Sequence, residues 1–61
     1  INQTDERTDI YAIGVLMNVM LTGQPPEIRL YNGRLKRVIV KCTQTIPDNR
    51  YQNVKELKRN L

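Results

Sequence analysis

Residues 9–23 read DIYAIGVLMNVMLTG and decide the fold, because they form one long apolar segment with a clear end. Two prolines follow shortly after the final glycine, an order typical of a helix that ends at a glycine C-cap. We therefore predict a helix over residues 9–22, with Thr8 or Asp9 as its N-cap. Its apolar residues fall on every face, as in a helix at the centre of a larger structure.

The chain continues through a connector that can hold a short turn of helix near residues 27–31. A second helix is predicted over residues 34–43, because four apolar residues recur on one face at helical spacing. These residues are Leu35, Val38, Ile39 and Cys42. The other faces carry basic side chains, so this helix is amphipathic and basic on its outer side.

The last part of the chain predicts a turn and a third helix. Residues 47–49 read PDN and favour a turn, with Ile46 packed against the core. Asn53 and Glu56 form a capping signal for a helix over residues 54–60. Four side chains are expected on its inner side: Tyr51, Val54, Leu57 and Leu61.

Together these elements predict an all-α fold, a small bundle of three main helices preceded by a flexible lead-in at residues 1–7. The chain has 61 residues, and a domain near this size buries only about 60% of the surface that its unfolded chain exposes. We therefore expect marginal stability.

The composition excludes several kinds of site. The chain has no histidine and a single cysteine, which excludes a zinc finger, a His-based catalytic triad and an intrachain disulfide. We expect no catalytic, cofactor-binding or metal-binding residue in this chain. The cysteine, Cys42, lies within an apolar stripe and is expected to be a buried small hydrophobe.

Charge and hydropathy limit the possible partners. The net charge is −3 over residues 1–27 and +7 over residues 28–61, which permits contact with an anionic partner. The basic helix lacks Gln, Asn or Ser side chains to read bases, so a nucleic-acid partner is not expected. The apolar run is shorter than the roughly 20 residues that span a bilayer. We expect no membrane segment and a cytoplasmic location.

Three motifs, taken in order, resemble the last part of a protein kinase C-lobe. Residues 8–16 read TDIYAIGVL and residues 21–26 read LTGQPP, which is similar to helix F of bacterial-type Ser/Thr kinases. Residues 35–42, LKRVIVKC, resemble helix H, and residues 47–52, PDNRYQ, resemble the start of helix I. The resemblance runs from about residue 4 to residue 61, with a much shorter helix G region than in most kinases.

The resemblance implies structural roles for three residues. Asp9 matches the helix F aspartate, whose carboxylate accepts hydrogen bonds from the backbone of the catalytic loop. Gly14 matches a glycine that allows close packing of that helix. Arg50 matches the arginine that pairs with the glutamate of the A-P-E motif. Without that glutamate, we expect Arg50 to be solvated, stacked on Tyr51 or paired with Asp48.

The resemblance also implies a function. Residues 1–61 would be a partial kinase catalytic domain, and the intact parent would use ATP and Mg²⁺ to phosphorylate hydroxyl groups of a protein substrate. The Gly-rich loop, the strand lysine, the catalytic loop and the D-F-G motif do not occur in this chain. The chain alone is therefore expected to be scaffold and not catalyst, with the upstream part of the kinase domain as its partner.

Two other classes of function remain open. The chain could be a small basic helical DNA-binding module whose second helix contacts phosphates, or a stand-alone dimerisation module. Self-association is also expected of a kinase fragment, because helices H and I would cover only part of the first helix. The expected interface centres on Ile13, Leu16, Met17 and Met20.

Overall fold

Residues 5–61, the part of the chain that this computed structural model describes, form an all-α fold. Helix α1 spans Glu6–Thr22, α2 spans Lys36–Cys42 and α3 spans Val54–Arg59. A short 3-10 helix, Pro47–Asn49, lies between α2 and α3. The prediction of a small bundle of three main helices is therefore confirmed.

Helix α1 begins earlier than predicted, at Glu6 instead of Asp9. Its N-cap is Asp5, whose carboxylate accepts a hydrogen bond from the backbone N–H of Arg7 at 2.8 Å. The carboxylates of Glu6 and Asp9 lie in the first turn, where the positive end of the helix dipole stabilises negative charge. Three acidic residues therefore support this helix start.

Two expectations for this end of the chain are wrong. Neither Thr8 nor Asp9 caps α1, because Asp5 satisfies the free amide of the first turn and the helix is already formed at residue 8. Residues 5–7 belong to the cap and first turn of α1 and not to a flexible lead-in. Residues 1–4 of the expected lead-in lie outside the described residues.

The end of α1 is where the sequence predicted it, at Thr22. Gly23 is the C-cap and has a φ of 80°, and its N–H donates to the carbonyl of Val19 at 2.7 Å. A residue with a Cβ atom is strained at this φ, so a glycine is favoured there.

The connector after α1 contains one turn. The N–H groups of Ile28 and Arg29 both donate to the carbonyl of Pro25 at 3.0 Å. This turn covers residues 26–28. It therefore lies slightly before the short helical turn expected near residues 27–31.

The two shorter helices lie close to their predicted positions. Helix α2 is shorter than the predicted range of 34–43, and α3 ends one residue before the predicted residue 60. The side chain of Asn53 caps α3 by accepting a hydrogen bond from the N–H of Glu56 at 2.8 Å. The Glu56 carboxylate accepts from the N–H of Gln52 at 2.7 Å. The predicted cap is therefore present, although the Glu56 carboxylate binds the backbone N–H of Gln52 and not that of the capping residue, Asn53.

The hydrophobic core lies between α1 and α2 and is completed by residues at the C-terminal end of the chain. Its central cluster consists of Ile10, Val38, Cys42, Tyr51 and Leu57, and Ile39 is also completely buried. Cys42 is completely buried, which confirms its predicted position in the core. Ile13 and Met17 pack against the edge of this cluster.

Three apolar residues that were expected to face the core are exposed instead. Ile46 is 56% exposed, Val54 40% and Leu61 64%. Helix α3 has six residues, of which only Leu57 is buried. Leu61 lies beyond the end of α3, and Ile46 precedes the 3-10 helix. The short C-terminal elements therefore reach the core through Tyr51 and Leu57.

Among residues 5–61, no helix combines the length and the apolar character needed to cross a membrane.

Candidate functional site

Helix α1 packs against the rest of the chain along one narrow stripe. Its buried residues are Ile10, Gly14 and Asn18, which are spaced four apart and therefore lie on one side of a helix. Leu16, Val19 and Met20 lie on the other side, given about 100° of rotation per residue. They are 58%, 37% and 76% exposed. We call these three residues the uncovered face of α1.

The uncovered face contains part of the predicted self-association surface. Leu16 and Met20 belong to it. Ile13 and Met17 are half-buried and pack against the core. Among the four predicted residues, the structure therefore leaves Leu16 and Met20 as the largest exposed apolar surface.

Asp9 lies in the first turn of α1 with an exposed side chain. Its carboxylate accepts no hydrogen bond from any of residues 5–61. It is therefore available to donors from outside the described residues, at the end of the helix where the dipole favours an anion.

Gly14 lies where α1 packs tightly against the end of α2. A Cβ atom at this position would lie 2.5 Å from the Cβ of Cys42 and 2.9 Å from the Cγ2 of Thr43. Real Cβ atoms do not come so close to another carbon, so any larger residue would push the two helices apart. The absence of a side chain at Gly14 thus sets the distance between α1 and α2.

Arg50 joins the loop after α2 to the first turns of α1. Its guanidinium donates to three carbonyl oxygens: that of Gln44 at 2.7 Å, that of Arg7 at 3.0 Å and that of Thr45 at 3.3 Å. It also stacks over the ring of Tyr11, with 4.7 Å from the guanidinium carbon to the ring centroid. The arginine is therefore half-buried and held by backbone carbonyls and an aromatic ring.

The expected surroundings of Arg50 are therefore wrong. It stacks on Tyr11 and not on Tyr51, whose ring lies beneath the ammonium group of Lys41 at 5.4 Å. It does not pair with Asp48, because the carboxylate of Asp48 forms an ion pair with Arg7. The sequence could not reveal this exchange of partners, since it depends on how α1 lies against the loop before α3.

Arg7 is the centre of a polar cluster that sequence reasoning missed. Its guanidinium pairs with the carboxylates of Asp5, at 2.8 Å, and Asp48. These contacts lower the pKa of Asp5 to about 2, chiefly through the side-chain hydrogen bond from Arg7, and raise the pKa of Arg7. The cluster ties the start of α1 to the 3-10 helix, although exposed ion pairs stabilise a fold only modestly.

Asn18 is the one polar side chain buried among the described residues. Its Nδ2 donates to the carbonyls of Gln24 and Arg29, both at 2.8 Å, and to the Thr22 hydroxyl at 3.3 Å. Its Oδ1 accepts from the N–H of Tyr31 at 2.8 Å. Asn18 therefore holds the connector against α1, and the signal for this role was a polar residue inside an otherwise apolar helix.

The core contains two titratable groups without a visible chemical role. Burial raises the pKa of Cys42 to about 11, so its reactive thiolate form is suppressed at neutral pH. Burial also raises the pKa of Tyr51. Within residues 5–61, no group of three Cys, Asp or Glu side chains could hold a metal ion together.

No protein-family model matches this chain, and no solved structure matches it.

Proposed function

We propose that this chain is the C-terminal structural part of the C-lobe of a cytoplasmic Ser/Thr protein kinase. The intact parent would transfer the γ-phosphate of ATP, with Mg²⁺ bound, to hydroxyl groups of a protein substrate. The chain supplies no catalytic group of its own. Its role is to give rigid support to machinery formed by sequence upstream of Ile1.

The observation that carries the proposal is the incomplete covering of α1. Its buried stripe is Ile10, Gly14 and Asn18, and the uncovered face on its other side is apolar and exposed to solvent. Full burial of a large apolar side chain contributes roughly 1.5–3 kcal/mol, and the partly exposed Leu16, Val19 and Met20 forgo a share of this. A helix of this kind is expected where further chain packs on the second side, as the resemblance to helix F implies.

In this proposal α1 corresponds to helix F, the turn at residues 26–28 to a reduced helix G, α2 to helix H and α3 to helix I. One contact and one unmatched charge support the correspondence. Gly14 lies against Cys42 of α2, where the resemblance implies close packing. The guanidinium of Arg50 lacks a carboxylate partner among residues 5–61, where the resemblance implies a glutamate from the missing part of the domain.

The direct biochemical test uses the protein extended upstream of Ile1, with Asp9→Asn as the perturbing variant. If Asp9 fixes the catalytic loop, loss of its charge should lower kcat by about tenfold or more, since hydrogen bonds to charged groups contribute about 1.5–3 kcal/mol. Glu6→Gln is the matched control, because Glu6 is also exposed and in the first turn of α1. Equal activity of the two variants would contradict the proposed role of Asp9.

The 61-residue chain alone provides a second test. Calorimetric titration with Mg-ATP should give no measurable binding, because the phosphate-binding and magnesium-binding motifs of kinases are absent. Saturable binding with a Kd below about 1 mM, near −4 kcal/mol, would contradict the proposed division of roles.

A second candidate function is self-association through α1, favoured by the exposure of Leu16 and Met20. In this case two copies would bury their uncovered faces against each other. Sedimentation over a concentration series should show a dimer that Leu16→Lys dissociates. A folded monomer at high micromolar concentration would rule this candidate out.

A further inference from the structure

A shallow, largely open basic groove of about 710 Å³ runs along the outer side of α2. Eight residues line it, and four of them are cationic: Arg34, Lys36, Arg37 and Lys41. All four cations have exposed side chains. Val40 and Gln44 are among the remaining lining residues. We call this feature the α2 groove.

The positive charge of the α2 groove is not neutralised within the chain. All six acidic residues lie in the described part of the chain. The only cation that they pair with there is Arg7, which binds Asp5 and Asp48. Glu56 is used at the start of α3, where its carboxylate accepts from the N–H of Gln52. The groove cations therefore have no counter-charge from residues 5–61, although the ammonium group of Lys41 also lies over the ring of Tyr51.

Two of these cations are close enough to repel each other, and a bound anion would reduce this repulsion. Arg37 and Lys41 are four residues apart in α2, so they are neighbours on the helix surface. A pair of like charges at this spacing destabilises a helix. Binding a carboxylate between the two side chains would convert this repulsion into two attractive contacts.

The shape of the groove favours a short peptide over nucleic acid. Helix α2 has seven residues and is therefore roughly 10 Å long, which matches about three residues of extended peptide. Val40 adds a small apolar surface to the lining, against which the methylene groups of a glutamate side chain can pack. No aromatic ring lines the groove, although ring stacking is the usual source of affinity for unpaired bases.

We propose that the α2 groove binds an acidic segment of a partner protein in extended conformation. Arg37 and Lys41 are the central contacts for two acidic side chains two residues apart, which point to the same face of an extended peptide. Val40 packs against the methylene groups of these side chains. The groove is formed by residues of this chain alone. The groove therefore carries its positive charge whether or not this chain is part of a kinase.

The test is fluorescence anisotropy with a labelled short peptide of alternating glutamate and valine. The double variant Arg37→Gln/Lys41→Gln should bind this peptide at least about threefold more weakly than the original chain, because it loses two exposed ion pairs, each of modest strength. The matched control is Lys55→Gln/Lys58→Gln, which removes the same charge from exposed positions of α3 outside the groove. The control should retain most of the affinity. Circular dichroism of both variants confirms that the helices are intact.

Each other outcome would overturn the proposal. Equal weakening by the two double variants would mean attraction by net charge alone. Tighter binding of a short DNA duplex than of the peptide, at about 0.15 M salt, would assign the groove to nucleic acid. Absence of peptide binding by the original chain would show that the groove is only a solvated surface.

Discussion

The substitution Asn18→Ala tests the packing of the connector against α1. It removes a completely buried amide that donates to the carbonyls of Gln24 and Arg29 and accepts from the N–H of Tyr31. Three backbone groups would lose a hydrogen bond in a single change, of which the Gln24 carbonyl also accepts from the Thr22 hydroxyl at 3.0 Å. No other side chain described here joins α1 to the connector through so many hydrogen bonds.

The magnitude follows from these three groups. A buried polar group left without a partner costs about 1–3 kcal/mol. Gln24 and Arg29 are exposed residues, so water can replace part of the loss at their carbonyls, and we expect a total of about 2–4 kcal/mol. A chain of this length is stable by roughly 3–9 kcal/mol. Asn18→Ala should therefore remove a large part of the free energy of unfolding.

Urea denaturation followed by circular dichroism measures this change, with Asn32→Ala as the matched control. Asn32 is exposed in the same connector, and its substitution should change the free energy of unfolding by no more than about 0.5 kcal/mol. If Asn18→Ala were as mild as Asn32→Ala, the amide network would not hold the connector in place and the reasoning would be refuted.

Three further predictions concern the helices and the core. Gly14→Ala should lower the midpoint of urea unfolding, because crowding against Cys42 costs about 1–3 kcal/mol. This cost outweighs the gain in helix propensity, which is at most about 1 kcal/mol. A raised midpoint would contradict the close approach of Gly14 to Cys42. Asn53→Ala should cost about 1 kcal/mol in urea denaturation through loss of the α3 cap, and an unchanged midpoint would mean that α3 starts elsewhere. Cys42, with a pKa of about 11, should react with iodoacetamide at neutral pH far more slowly in the folded than in the urea-unfolded chain. Equal labelling rates in the folded and unfolded chain would show that Cys42 is accessible. The free energy of unfolding should also fall as the pH rises from about 9 towards about 11, because the thiol ionises at a lower pH in the unfolded chain.

Local signals in the sequence were sufficient to predict the helices. The end of α1 was predicted correctly because Gly23 fits the left-handed conformation and Pro25 cannot continue the helix. Its start was wrong because Asp5, Thr8 and Asp9 are all suitable caps. Asp5 is the cap in the structure, where it binds the N–H of Arg7. The side chain of Arg7 also pairs with Asp48, a tertiary contact that the local sequence does not reveal.

The candidate site was less predictable because its contacts are tertiary. Arg50 was identified as important, but its partners were wrong, since the position of Tyr11 over the guanidinium depends on the packing of α1. The role of Asn18 follows only from its burial in the structure, because a buried polar side chain requires hydrogen-bond partners. Leu61 and Val54 followed the pattern of a core face, but α3 is too short to bury them.

The most direct test of the central claim is to determine the coding sequence upstream of Ile1 in the same reading frame. The proposal predicts a D-F-G motif followed by an A-P-E motif shortly before this chain, with a catalytic loop and a Gly-rich loop further upstream. An initiator methionine directly before Ile1 would contradict the kinase proposal and leave a small helical protein whose uncovered face on α1 has another partner.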